Sequence, residues 1–375
     1  MFYSQKSKII DHNLTYLHSQ KVFTGQYWDE FALTSSLVPD NAEVLMLGLS
    51  LGGGIRPILS GDKIISLTCV DYDSPSVNKC KSFYKEYFPE IKFKAITEDA
   101  KIYLSQCSKK FHAIWLDIYE AEAYSSLYFE QDFMNLIKSS LENGGVLLVN
   151  SYGLPNHFSP LELDGVQNHL AKFLAANFES LRSIPFRRNI TFVASNAPAK
   201  IYETQPQAAL NAMDKFTFKF IQQKLQASAS QEITFNTESS APTVKEYKFG
   251  EIDNQMRAQW QELRNLIKPI GISLNENKEI VMLLENQTQC AKALKHLLDI
   301  NPRLACFVPI LGAGESHSQA LDIGWIFDWT YNNIALLKEK LNEDFGDIWL
   351  CQLWSLVIHP NGQFKAEYFK MLEML

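Results

Sequence analysis

Little in this chain suits a polyanionic partner. Lys and Arg total 35 against 42 Asp and Glu, a formal charge of −7 over 375 residues, and no Lys/Arg-rich block appears. A nucleic-acid-binding surface carries a basic excess, so no nucleic acid is expected as a partner. A mildly acidic field suits a cationic small molecule instead. Cysteine is sparse: Cys69, Cys80, Cys107, Cys290, Cys306 and Cys351 form no Cys-x-x-Cys pair, and none has a histidine at zinc-finger spacing. The 8 histidines are scattered, so no metal is expected. No apolar run approaches the roughly 18 residues needed to cross a bilayer. The opening MFYSQKSKIIDH lacks the apolar stretch of a signal peptide. Together these absences predict a soluble, cytoplasmic protein in a reducing compartment, with no membrane partner.

What is present is material for packed cores. Hydrophobic residues make up 46%, with 24 Phe, 15 Tyr and 7 Trp, which excludes a disordered chain. At roughly 150 residues per domain the length allows two or three domains. From Ala42 to about Asn196, short apolar runs alternate with longer amphipathic ones, the rhythm of an α/β domain with helices on both faces of a parallel sheet. The predicted strands are EVLMLGL (43–49), IISLTCVDYD (64–73), IKFKAITED (91–99), HAIWLDIY (112–119) and GGVLLVNSY (144–152). Helical patterns lie between them, the last stopping at Asn143-Gly144-Gly145. A helix over PLELDGVQNHLAKFLAANF then leads to strands at 180–187 and 190–196, so close together that they read as a hairpin.

Residues 206–226 form one more amphipathic pattern. The Ser/Thr/Ala/Gln-rich stretch from Ala227 to about 245 reads as a linker, and 246–375 as a smaller α+β accessory domain. That domain has helices near 253–267, 288–299 and 331–343. It ends in two strands, IWLCQLWSLVIHP and GQFKAEYFKML, meeting at Asn361-Gly362. Residues 1–40 stand as an N-terminal extension before a 41–226 domain.

The chemistry-bearing residues collect at strand ends. The first strand runs into Gly48-Leu49-Ser50-Leu51-Gly52-Gly53-Gly54, where glycines let a ligand approach backbone beside a helix N-terminus. The spacing is neither Gly-x-Gly-x-x-Gly nor a P-loop. The second strand ends in Val70-Asp71-Tyr72-Asp73, the third in Glu98-Asp99-Ala100, the fourth in Asp117-Ile118-Tyr119-Glu120. An acid after strand two can accept both ribose hydroxyls of a nucleoside, and Asp73 also suits a helix cap. Each acid alone reads as a cap. Together they mark the carboxyl edge of four consecutive strands, where open α/β sheets bind ligands. Tyr119, Tyr124 and Tyr128 cluster after the fourth strand and could wall a cationic ligand or simply pack. Ser50 has no histidine at interpretable spacing, so a hydrolase triad is not expected.

This pattern resembles the Rossmann-like class I S-adenosylmethionine-dependent transferases, including a closing antiparallel hairpin, and within them the spermidine synthase family. The segments that carry the resemblance are VLMLGLSLGG, CVDYD, ITEDAKIYL, FHAIWLDIYEAEA, LYFEQDFMNLIKSSLENGGVLLVN and the upstream Gln26-Tyr27-Trp28-Asp29-Glu30-Phe31, within about residues 10–200. The resemblance implies a polyamine-type transferase with S-adenosylmethionine or its decarboxylated form as co-substrate and a small-molecule amine as acceptor. It implies nucleoside contacts from Gly48, Ser50, Gly52, Asp71, Tyr72, Asp99 and Ala100, and acceptor contacts from Gln26, Asp29, Glu30 and Tyr119. Asp117 falls where the family keeps the acid that deprotonates the attacking amine, and Glu120 on the second acid of that motif.

Two departures keep alternatives open. Leu51 stands where the family has an Asp that holds the propylamine end of the decarboxylated donor, and Leu33-Thr34-Ser35 replaces the Tyr-His-Glu of the diamine pocket. The first favours an S-adenosylmethionine-dependent methyltransferase; the second, an inactive homologue that binds a partner. The segment LLKEKLNEDFGDIWLCQLWSLVIHPNGQFKAEYF faintly resembles a YezG-like immunity fold. That resemblance transfers no site and points to a module for a protein partner or self-association. The dense tryptophans Trp325, Trp329, Trp349 and Trp354 read as core.

Overall fold

The computed structural model describes residues 21–120, 124–152, 166–186, 189–228, 265, 287–305, 324–341, 349 and 353. They fall into two compact units. The first contains all seven strands save Pro185 and Phe186, and the second the helices from Gln287 onward. Among the described residues, no helix is long and apolar enough to cross a membrane.

The first unit is built on one seven-stranded sheet, in the order β3-β2-β1-β4-β5-β7-β6. Its strands are β1 (Ala42–Leu47), β2 (Ile65–Asp71), β3 (Lys94–Thr97), β4 (Phe111–Leu116), β5 (Leu141–Tyr152), β6 (Ser180–Phe186) and β7 (Asn189–Ser195). The central strands AEVLML and FHAIWL are buried almost throughout, as apolar runs covered on both faces must be. β1 pairs in parallel with β2 (Leu47↔Val70) and with β4 (Leu47↔Leu116), while β7 runs antiparallel to β5. This is the Rossmann-like, methyltransferase-type sheet. The strand order reverses between β1 and β4, and that switch point opens a crevice at the carboxyl edge.

Helices follow the strands where caps start them. Asp73 accepts a hydrogen bond from Ser76 N at 3.2 Å to open α3 (Ser74–Tyr87), and Asp99 accepts from Lys101 N and Ile102 N, both at 2.9 Å, to open α4 (Ala100–Gln106). Short helices α1 (Thr34–Leu37) and α2 (Ile55–Ile58) flank β1; α5 (Gln131–Ser140) leads into β5 and α6 (Val166–Asn177) into β6. The helix before β5 ends three residues sooner than Asn143-Gly144-Gly145 suggests. Leu141 already pairs with Phe111, and Gly144, at φ +79, turns the chain inside a β-bulge.

α7 (Ala212–Ser228) begins later than the pattern over 206–226, because the residues before it bind the sheet unit through backbone: Asp62 N donates to Gln205 O at 2.8 Å and Gln207 N to Ser60 O at 2.9 Å. α7 also fastens the stretch ahead of β1. Asp214 accepts from Val22 N (3.1 Å) and Phe23 N (3.3 Å), and Gln222 Nε2 donates to Ala32 O at 3.0 Å. Residues 27–37, placed in an extension by sequence, are thus largely buried in the sheet unit, with Phe31 stacked on Trp115 at 3.8 Å between ring centroids.

In the second unit, α8 (Gln287–Ile300) matches the helix expected at 288–299. The helical pattern at 331–343 resolves into α10 (Gly324–Asn332) and α11 (Ile334–Lys340), after the short α9 (Pro302–Ala305). The run IWLCQLWSLVIHP, expected as a strand, is helical at Trp349 and Leu353, its two described residues. Both are buried and lie four apart, on one helical face; a continuous apolar run fits either element until packing decides. Trp349 is buried 6.1 Å from the Trp329 ring. The helix expected at 253–267, save a helical Asn265, the linker beyond Ser228 and the hairpin at Asn361-Gly362 lie outside the described residues.

Candidate active site

The site is built on the ends of β1, β2 and β4. Gly48 follows β1 with φ +92, and a Cβ there would sit 2.1 Å from the Asp117 carbonyl oxygen, so only glycine lets the two strand ends close. The turn is tied to both neighbours, Gly48 N donating to Val70 O and Asp117 N to Leu47 O, each at 2.9 Å. Ser50 adopts φ +47, and Gly52, at φ +85, rests on Cys80 and Tyr84, with Tyr84 Oη donating to Gly52 O at 2.7 Å.

Asp71 organises this turn. One of its oxygens accepts from Leu49 N and Ser50 N, both at 2.8 Å, and the other from Asp73 N at 2.9 Å. Tyr72 beside it is exposed, at 60%, and Ala100 is nearly buried at the start of α4. Gly48, Ser50, Gly52, Asp71, Tyr72, Asp99 and Ala100 therefore line one edge of the sheet. Asp73 and Asp99 both cap helices, and Asp99 gives one oxygen to that task.

Asp117, half-buried just beyond β4, is held by one donor on each oxygen. Asn150 Nδ2 donates to Oδ1 at 2.7 Å and Tyr27 Oη to Oδ2 at 3.1 Å. Burial pushes its pKa up to about 6, opposed by the bonds from Asn150 and Tyr27, while the charge on Asp71 adds to the rise. Burial, with Asp117 beside it, raises the Tyr27 phenol well above its usual range, so it remains a donor. Behind Asp117 the rings of Tyr119, Tyr124 and Tyr128 lie 5.1 to 5.8 Å apart and pack on one another. Their hydroxyls reach main-chain carbonyls, Tyr119 and Tyr128 that of Asn150 (3.0 and 3.3 Å), Tyr124 that of Tyr152. Glu120 is exposed at the rim.

The segment before β1 covers the crevice, Trp28 over Gly53 and Phe31 over Gly54. Of the acceptor residues expected there, Gln26 is half-buried and its carbonyl accepts from Asp29 N at 3.0 Å. Asp29 and Glu30 lie in the interior instead of facing the crevice. Asp29 accepts from Thr24 N (2.9 Å) and Gly25 N (2.7 Å), shaping the loop. Glu30 pairs with Lys224 and accepts from Thr191 Oγ1, each at 2.7 Å, locking the segment to α7 and β7. Tyr27 and Asn150 are the site residues that sequence reasoning did not single out. The signal for Asn150 was a lone polar side chain ending the apolar run GGVLLV; for Tyr27 it was its place in the family-like run over residues 26–31, which gave it no role of its own. Among the described residues no group of three or more His, Cys, Asp or Glu could hold a metal ion.

Residues 31–173 match the family model of the spermine/spermidine synthase domain. This part of the chain is spermidine synthase-like. A polyamine aminopropyltransferase of Korarchaeum cryptofilum is 24% identical over 138 residues, 34% of this chain and 43% of that protein. A probable polyamine aminopropyl transferase of Bifidobacterium longum is 28% identical over 132 residues, 35% of this chain and 28% of that one. The chain thus spans less than half the length of these curated relatives. A crystal structure of spermidine synthase with the transition-state analogue AdoDATO superposes with a TM-score of 0.40 at 16% identity, covering 54% of this chain and 76% of that one.

Proposed function

We propose that the spermidine synthase-like domain is a transferase. It takes decarboxylated S-adenosylmethionine or S-adenosylmethionine as co-substrate and moves an aminopropyl-type group to the nitrogen of a small-molecule amine. The observation that carries this reading is Asp117, at the switch point against Gly48, with its pKa raised to about 6 by burial. An alkyl amine has a pKa near 10, roughly that of lysine, and arrives as a cation that cannot attack. A carboxylate at this edge holds that cation and accepts its proton. The neutral nitrogen then forms a bond to the carbon on the sulfonium, and the C–S bond breaks with its electron pair going to sulfur, which leaves as a neutral thioether. Gly48, Ser50, Gly52, Asp71, Tyr72, Asp99 and Ala100 would hold the nucleoside, and Glu120 and Tyr119 would border the acceptor. Holding two reactants in line is worth about 7–11 kcal/mol, and a placed base about 10²–10⁴-fold.

A second reading is methyl transfer from S-adenosylmethionine. Leu51, apolar and 3% exposed, favours it, since that position of the turn has no carboxylate to repel the one that S-adenosylmethionine keeps and its decarboxylated form lacks. The test is a thermal-shift titration with S-adenosylmethionine, its decarboxylated form, 5′-methylthioadenosine and NADH, followed by mass analysis of amines incubated with the protein. A ligand at one hundred times its Kd stabilises by about 2.7 kcal/mol. A shift with 5′-methylthioadenosine and one sulfonium donor, with the matching mass gain on an amine, is expected. A methyl gain selects the second reading. No shift with any of the four overturns both and leaves an inactive homologue, whose 246–375 accessory domain would carry partner binding.

A further inference from the structure

Asp117 is the carboxylate at this edge held by side chains from two distant parts of the chain, and the two holds differ in kind. Asn150 is fixed on several sides: its Oδ1 accepts from Asn189 Nδ2 at 2.8 Å, and its carbonyl accepts from Tyr119 and Tyr128. Tyr128 Oη in turn accepts from Ile118 N at 3.2 Å, next to Asp117 itself. Asn150 therefore acts as a rigid anchor on the sheet. Tyr27 comes from the covering segment, and its place depends on the packing that seats that segment: Trp28 on Gly53, Asp29 on Thr24 and Gly25, Glu30 on Lys224 and Thr191. A base that must swing between oxygens loses rate, because the productive geometry has to be held to about half an ångström.

We propose that Tyr27 is a positioning residue for this reaction, the phenol that fixes Asp117 Oδ2 so that the carboxylate meets the acceptor amine in one orientation, with Asn150 fixing Oδ1. This rests on Asp117 being the base. The covering segment is thereby tied to catalysis, since the reactive carboxylate is fully oriented only when residues 21–33 are seated. The titratable groups around Asp117 are Tyr27 from the segment, Asp71 from the end of β2, and Tyr119 and Tyr128 from the stretch after β4. Removal of the Tyr27 hydroxyl takes away a bond that favours the ionised form, so the Asp117 titration moves to higher pH.

The experiment compares Tyr27→Phe with the unaltered full chain in two measurements. The first is a carbon-13 NMR titration of side-chain-labelled aspartate, with the Asp117 resonance assigned by its loss in Asp117→Asn. The second is turnover of decarboxylated S-adenosylmethionine and of S-adenosylmethionine with a panel of diamines and polyamines across pH. Expected are a rise in the Asp117 midpoint, an equal move of the acidic limb of kcat, and a fall in kcat of about ten- to one-hundredfold, the size of a hydrogen bond to a charged group, with KM nearly unchanged. An unmoved Asp117 midpoint, or a kcat untouched by the variant, overturns the positioning role while leaving the transferase reading standing. A full chain that turns over no donor–amine pair overturns the transferase reading, and the role of Tyr27 with it. A variant that has merely unfolded loses the aspartate dispersion altogether, and Tyr27→Trp, which keeps bulk but moves the donor, then gives the comparison.

Discussion

Asp117→Asn should stabilise this protein at neutral pH. Moving the carboxyl from its ordinary 3.8 to about 6 makes ionisation in the folded state cost about 0.5 kcal/mol at pH 4, about 1.5 at pH 5 and about 3 at pH 7. The sign follows from the direction of the shift. A folded-state pKa above the unfolded one contributes stability that is whole below pH 3.8, drains as pH rises through about 6, and levels off above it. Asparagine stays neutral throughout and can keep both partners, its Oδ1 accepting from Asn150 and its Nδ2 donating to Tyr27 Oη. Urea unfolding of both proteins, followed by far-ultraviolet circular dichroism from pH 4 to 8, should give nearly equal stabilities at the acid end. A gap of about 2–3 kcal/mol in favour of Asn should open by pH 7. A gap that does not change with pH, or a variant less stable at pH 7, refutes the argument that burial strains this carboxylate. The same substitution should abolish turnover, so stability rises as activity falls, the trade expected where a functional group is held against its own preference.

Gly48→Ala should cost about 2–4 kcal/mol in the same assay, because its Cβ meets the Asp117 carbonyl at a left-handed φ. Gly144→Ala is its control: it also has a positive φ, but nothing lies within 4 Å, and about 1 kcal/mol is expected; equal costs would refute the close-approach argument. Lys224→Met should destabilise by about 3–5 kcal/mol at pH 7 by stranding the buried Glu30 charge, with the loss shrinking at acid pH as Glu30 protonates. Adding Glu30→Gln should restore most of it, and a double variant no better than the single one would count against the ion pair.

The parallel sheet was legible because its signals are local. Four of the first five strands are apolar runs bounded by polar or glycine positions, the short KAIT of β3 being the part-exposed exception, and Asp73 and Asp99 sit where a helix start needs an oxygen. Where the register shifts, locality fails: nothing near Asn143 shows that Leu141 has already joined Phe111 across a bulge. The accessory unit shows the other limit. IWLCQLWSL is apolar at nearly every position, so alternation and helical period score alike, and at Trp349 and Leu353 burial on one helical face decided it.

The site divides along the same line. Gly48, Asp71 and Asp117 are each at the end of a strand, and strand ends of a parallel sheet share one edge whatever the rest of the chain does. Asp29 and Glu30 carried the same kind of charge in the same kind of motif, yet their partners, Thr24 and Gly25 for one and Thr191 and Lys224 for the other, draw them inward. For Glu30 these partners lie 161 and 194 residues away, beyond any local pattern. Tyr27 is the converse case, a residue of the same motif to which no role was given and which reaches Asp117 across 90 residues because its neighbours are buried. The acids of the covering segment from which acceptor contacts were expected thus act as its anchors, and what those anchors deliver to the sheet edge is a phenol.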